Sequence, residues 1–123
     1  MPLETKIQKE GGATKVTLIG SLDTATAPDL ERQLAPVLAG SARDLVFDLA
    51  ELKFVTSAGL RVFSNARKAM KTRGGQAVFI NMQPQIQEVF EIIKSLPGVA
   101  IFETVEELDE YLAMRQNTHQ SGQ

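Results

Sequence analysis

Residues 44–63 read DLVFDLAELKFVTSAGLRVF, and the stretch changes its period in the middle. Leu45, Val46 and Phe47 are consecutively apolar, the pattern of a short strand covered on both faces. The apolar run ends at two hydroxyls, Thr56 and Ser57, after which Leu60, Phe63, Ala66, Ala69 and Met70 recur at helical spacing to about Thr72. A buried strand that leads directly into an amphipathic helix points to an α/β domain with a mostly parallel sheet. Serine before the helix reads as an N-cap, worth about 1 kcal/mol. That reading leaves Ala58 and Gly59 unexplained, because glycine inside a helix costs up to roughly 1 kcal/mol. Two small residues there leave the backbone beside Ser57 uncovered and open to close approach by a partner or an active site.

Upstream, strands at Thr5–Ile7 and in KVTLIGS flank Gly11-Gly12, a hairpin signal. SLDTAT is a polar connection, and Thr26 with Asp29 has the spacing of a capping box, with Pro28 in the first turn. Ala27, Leu30, Leu34, Val37 and Leu38 form the stripe of a first helix, which Pro36 is expected to kink or end early. Downstream, Gly74-Gly75 turns the chain into QAVFI, a short strand, and Pro84 opens a helix with stripe Ile86, Val89, Phe90 and Ile93. SLPG interrupts it, VAIF predicts a last strand, and Thr104 with Glu107 opens a final helix facing inward through Val105, Leu108 and Leu112. The polar RQNTHQSGQ after Met114 has no periodicity and reads as a flexible tail. The predicted organisation is one domain over 1–114 with a tail over 115–123. Its element order is β-β-α-β-α-β-α-β-α, a mixed, mostly parallel sheet with four helices.

The chain has 123 residues, 43% hydrophobic and 23% charged, enough for one core without metal or crosslinks. No apolar run approaches the roughly 18 residues that span a bilayer, and the first ten residues lack the layout of a secretory signal. There is no cysteine, which removes disulfides and thiolate chemistry and suits a cytoplasmic protein. A net charge of −2 gives no general attraction for nucleic acid.

The residues also argue against enzyme chemistry. The single histidine, His119, falls in the predicted tail, out of reach of Ser57 as a general base. Neither common glycine-rich phosphate cradle is present, and no cofactor is expected. Asp48 resembles the acceptor of a phosphoacceptor receiver domain, but the acidic pair after the first strand and the lysine after the last are missing. Arg61, Arg67, Lys68, Lys71 and Arg73 make a basic run with no acid between Ser57 and Gly75. It is either an electrostatic surface or, for the last four, a complement to the helix macrodipole.

DLAELKFVTSAGLRVF resembles the signature of the STAS family of anti-sigma factor antagonists, carried here by Asp48, Leu49, Phe54, Ser57, Ala58, Gly59 and Leu60. Gly20, Leu22 and Asp23 likewise resemble that family's second strand and loop. Many relatives carry aspartate before the acceptor serine, where this chain has Thr56. The resemblance implies a binding protein that is not an enzyme and makes Ser57 the phosphoacceptor. In the unphosphorylated state such a protein binds an ATP-using anti-sigma factor serine/threonine kinase and frees the sigma factor. Phosphorylation ends the complex, and a PP2C-type serine phosphatase restores it, with no direct role for nucleic acid or membrane. By position, the partner surface is expected at Asp23, Thr24, Thr56, Ala58, Gly59 and Arg61. The alternative is a constitutive scaffold subunit of the same fold, in which Ser57 is only a helix cap.

Overall fold

The computed structural model describes residues 2–95 and 104–121. Its elements are β1 (Leu3–Glu10), β2 (Ala13–Leu22), α1 (Ala27–Leu38), β3 (Asp44–Val55), α2 (Ser57–Thr72), β4 (Gln76–Ile80), α3 (Pro84–Ser95) and α4 (Val105–Ser121). The four strands lie in the order β1-β2-β3-β4. β1 and β2 form an antiparallel hairpin around Gly11-Gly12, with Gly11 at φ +64°. β2–β3 and β3–β4 are parallel. The mixed α/β architecture is the expected one. The predicted strand VAIF lies outside the described residues.

One sheet face carries the core. Val16 and Leu18 of β2 and Leu45, Phe47, Leu49, Leu52 and Val55 of β3 are fully buried. Val46, between two of them, is only half-buried, so β3 is not covered on both faces as its apolar run suggested. The open face instead carries Lys15 and Asp48, paired at 3.5 Å. Leu30 and Leu34 of α1, Phe63, Ala66 and Met70 of α2, and Ile86 and Val89 of α3 close over the buried face. Phe47 stacks on Phe79 at 5.2 Å and meets Phe63 edge-on at 5.2 Å, fixing α2 against β3 and β4.

One local expectation is narrowed and two are corrected. First, α1 runs through Pro36 and ends two residues later, at Leu38, so the proline does not end the helix at its own position. Arg73, the C-cap residue of α2, reaches across to the end of α1 and the segment after it, donating to Leu38 C=O at 2.5 Å and to Ala42 C=O at 2.5 Å. Second, the polar segment after Met114 is not a loose tail. α4 continues to Ser121, and Gln116 is wholly buried because Leu108, Leu112 and Gln116 repeat every fourth residue on one face. Third, Val105, expected to face inward, is 51% exposed.

Candidate functional site at the mouth of the second helix

Parallel pairing builds the site. Leu22 and Val55 are register partners at the ends of β2 and β3, so the segments that follow both strands leave at the same sheet edge. Thr56 N–H donates to Leu22 C=O at 3.0 Å and ties the two exits together.

The first exit, Asp23–Thr26, is closed on itself. Asp23 Oδ1 accepts from the N–H groups of Ala25 and Thr26, both at 3.0 Å. Asp23 N–H donates to the Thr26 hydroxyl at 2.9 Å, and that hydroxyl donates to Ser21 C=O at 2.9 Å. Thr26 is the N-cap of α1 by position, but its side chain makes no capping bond, so the predicted capping box does not form. Asp29 pairs instead with Arg32 at 2.9 Å on the helix surface. Gly20, at φ +114°, is required nearby, since a Cβ there would lie 2.1 Å from the Pro2 carbonyl oxygen.

The second exit holds the two hydroxyls, and they differ. Thr56 is the N-cap residue of α2, in extended conformation; its Oγ1 is buried, makes no capping bond and has no partner. Ser57 is the first helical residue and half-buried. Its hydroxyl has no hydrogen bond among the described residues, so it is not a helix cap. Its N–H donates to Asp109 Oδ1, on α4, at 2.9 Å. Two turns further along α4, Gln116 brackets the other side of Thr56. It accepts from Val55 N–H at 2.9 Å and donates to Val55 C=O at 2.8 Å.

Gly59 is buried, and the space its missing side chain leaves is filled from inside. A Cβ would stand 2.6 Å from Leu22 Cγ and 2.8 Å from Val55 Cγ2. Its smallness therefore serves strand–helix packing, and it offers no surface to a partner. Thr24 and Arg61 are exposed, Asp23 and Ala58 half-buried. Leu60 is half-buried too, packing on the core while bordering a groove with Phe79 and Phe90.

Asp48 lies away from this cluster, in the first half of β3. Burial pushes its carboxyl up, but the Ala50 N–H, the Asn81 amide and Lys15 together hold it below the usual carboxylate range. It is a satisfied structural acid, bonded to Asn81 after β4 and not to a helix start. Among the described residues no group of three or more His, Asp or Glu is placed to hold a metal ion. Nor is any described helix long and apolar enough to cross a membrane.

The sequence motifs led to Asp23, Thr56 and Ser57 but missed Asp109 and Gln116. Gln116 was detectable by extending the four-residue spacing of Leu108 and Leu112 one step. Asp109 sits in the acidic run VEELDEYL, where nothing marks one acid out.

A mixed sheet with a strand-to-helix serine at its parallel edge is the arrangement of a STAS domain. Residues 4–108 match that domain, and the chain belongs to the STAS family. Within it the chain falls among the anti-sigma factor antagonists. It is 33% identical over 90 residues to a protein named as an anti-sigma factor antagonist, BtrV of Bordetella bronchiseptica, covering 73% of this chain and 78% of that one. It is 30% identical over 90 residues to the anti-sigma-B factor antagonist of Staphylococcus aureus, covering 73% and 82%. The fold is also that of the Bacillus antagonist SpoIIAA. Its unphosphorylated form matches with a TM-score of 0.63 at 15% identity, over 72% of this chain and 83% of that one. Its phosphorylated form gives the same TM-score and identity, over 73% and 83%.

Proposed function

We propose that this chain is a phosphorylation-controlled partner switch. With Ser57 unmodified it binds an anti-sigma factor that is also an ATP-using serine/threonine kinase, and the sigma factor is released. The kinase transfers the γ-phosphoryl group of ATP to Ser57: the serine oxygen bonds to phosphorus, the bond to ADP breaks, and the hydroxyl proton passes to a base on the partner. A PP2C-type phosphatase hydrolyses the ester and restores the hydroxyl. The observation that carries this reading is the difference between the two adjacent hydroxyls. Thr56 Oγ1 is sealed, whereas the Ser57 hydroxyl, on a half-buried residue at a helix N-terminus, has no hydrogen bond among the described residues. The family and its antagonist relatives supply the chemical class.

The physics sets the direction of the switch. A phosphate adds about −1.5 to −2 charges at Ser57. The N-terminus of a helix accepts an anion, through its open N–H groups and its dipole, so the sheet and α2 keep their structure. The penalty falls on the docked partner, which meets a desolvated charge with no counter-charge. A loss of about 3–4 kcal/mol weakens binding several-hundred-fold. The docking surface is Asp23, Thr24, Ala58 and Arg61 around Ser57, with Thr56 beneath it as support. Arg61, Arg67, Lys68 and Lys71 extend it as an exposed cationic face.

Incubation with the cognate anti-sigma kinase and ATP tests the reading by intact-mass analysis. The expected result is a single phosphoryl increment, retained in Thr56→Val and absent in Ser57→Ala. An increment that survives Ser57→Ala, or none in the native chain, overturns it.

A further inference from the structure

α2 has no acidic residue in its first turn, although the open N–H groups of a helix start favour one. The carboxylate that meets them comes from α4: Asp109 Oδ1 accepts the Ser57 N–H at 2.9 Å, from 52 positions away in sequence. Asp109 and Gln116 lie two turns apart on one face of α4 and grip the backbone on both sides of Thr56. α4 is also attached through the buried pair Leu108 and Leu112, through Tyr111 packed against the core, and through an ion pair from Arg115 to Glu88 of α3. The exposed Glu106, Glu107 and Glu110 around Asp109 make this end of α4 strongly negative.

We propose that Asp109 is the resident anion of the α2 N-terminus, that a phosphate on Ser57 displaces it, and that α4 is thereby loosened from the β3–α2 junction. The proposal rests on Ser57 being the modified residue. A phosphate on the Ser57 oxygen belongs to the same residue as the N–H that Asp109 holds, so both anions compete for the same first-turn donors. Two like charges a few ångströms apart cannot share that seat without a cation between them. The covalently attached anion stays, and the one carried by a separate helix leaves. Gln116, next along the same face, then holds Val55 alone. Phosphorylation acts twice in this scheme: as a charge at the docking surface, and as a release of α4 that the partner or the phosphatase can read.

The test uses the full chain with phosphoserine placed at position 57 during translation, so no kinase is needed. Amide hydrogen exchange is compared with and without the phosphate, in the native chain and in Asp109→Asn, whose amide oxygen still accepts the Ser57 N–H. In the native chain, phosphate is expected to speed exchange of amides 109–117 by about tenfold while β2 and β3 stay protected. In Asp109→Asn the same phosphate changes α4 exchange by less than about threefold, because the repulsion is gone. Unchanged α4 exchange in the native chain, or equal acceleration in both backgrounds, overturns the proposal. If Asp109→Asn loses protection in β2 and β3, Asp109→Ser replaces it under the same criteria. Failure of a kinase to modify Ser57 would overturn the functional reading and leave this coupling measurable, because here the phosphate is installed directly.

Discussion

The two chain exits at the sheet edge are neighbours built on opposite plans. The Asp23–Thr26 loop satisfies its polar groups from within: every partner of the Asp23 carboxylate and the Thr26 hydroxyl lies within five residues. The Thr56–Ser57 turn satisfies almost nothing locally. Its backbone is held by Leu22 from β2 and by Asp109 and Gln116 from α4. A loop closed on itself is a rigid feature that changes little when its surroundings change. A turn held by remote groups transmits whatever happens to it, and this is the exit that carries the free hydroxyl.

That contrast can be broken at its weakest points. The largest effect is expected from Gly59→Ala. A methyl 2.6 Å from Leu22 Cγ drives β2 and α2 apart, and chemical denaturation should show a loss of about 2–3 kcal/mol. Next is Gln116→Ala, which strips both Val55 backbone groups of their partner in a buried setting. Denaturation should show a loss of about 1–3 kcal/mol, with exchange rising at both β3 and α4. Asp23→Ala sharpens the comparison from the other side. It removes a local cap, should cost about 1 kcal/mol, and should leave α4 exchange untouched.

How legible each exit was in the sequence follows from the same contrast. The hairpin glycines, the helical stripes of α1 to α3 and the strand-to-helix serine could be read because their causes are local periodicity and turn chemistry. The one-sided burial of β3 could not. Leu45-Val46-Phe47 has the same composition whether one face or two is covered, and only the assembled sheet decides. Ser57 looked like a cap because serine caps well. The structure gives that place to Thr56 by position and to Asp109 by chemistry. Gly59 looked like an opening for a partner, and Leu22 fills it. These three misreadings concern contacts between residues far apart in sequence, where no local pattern exists. The capping box at Thr26, by contrast, gave way to other local partners, Asp23 and Ser21.

The smallest expected effect lies outside the contrast and serves as its control. Asp48 is held below the usual carboxylate range, so it contributes stability that is present above the unfolded-state value and lost as the pH falls through the folded one. Asp48→Asn should therefore flatten the loss of stability below about pH 4 in acid titrations followed by circular dichroism. It should leave the Ser57 region unchanged.

The central claim is that a dianion at Ser57 decides whether a partner docks. Titration calorimetry of the cognate anti-sigma kinase against the unmodified chain, and against the chain carrying phosphoserine at 57, measures this directly. Binding several-hundred-fold weaker for the phosphorylated chain, with β2 and β3 still protected from exchange, is the predicted result. Affinities within about threefold of one another would contradict the account, because a penalty of 3–4 kcal/mol at the interface could not then exist.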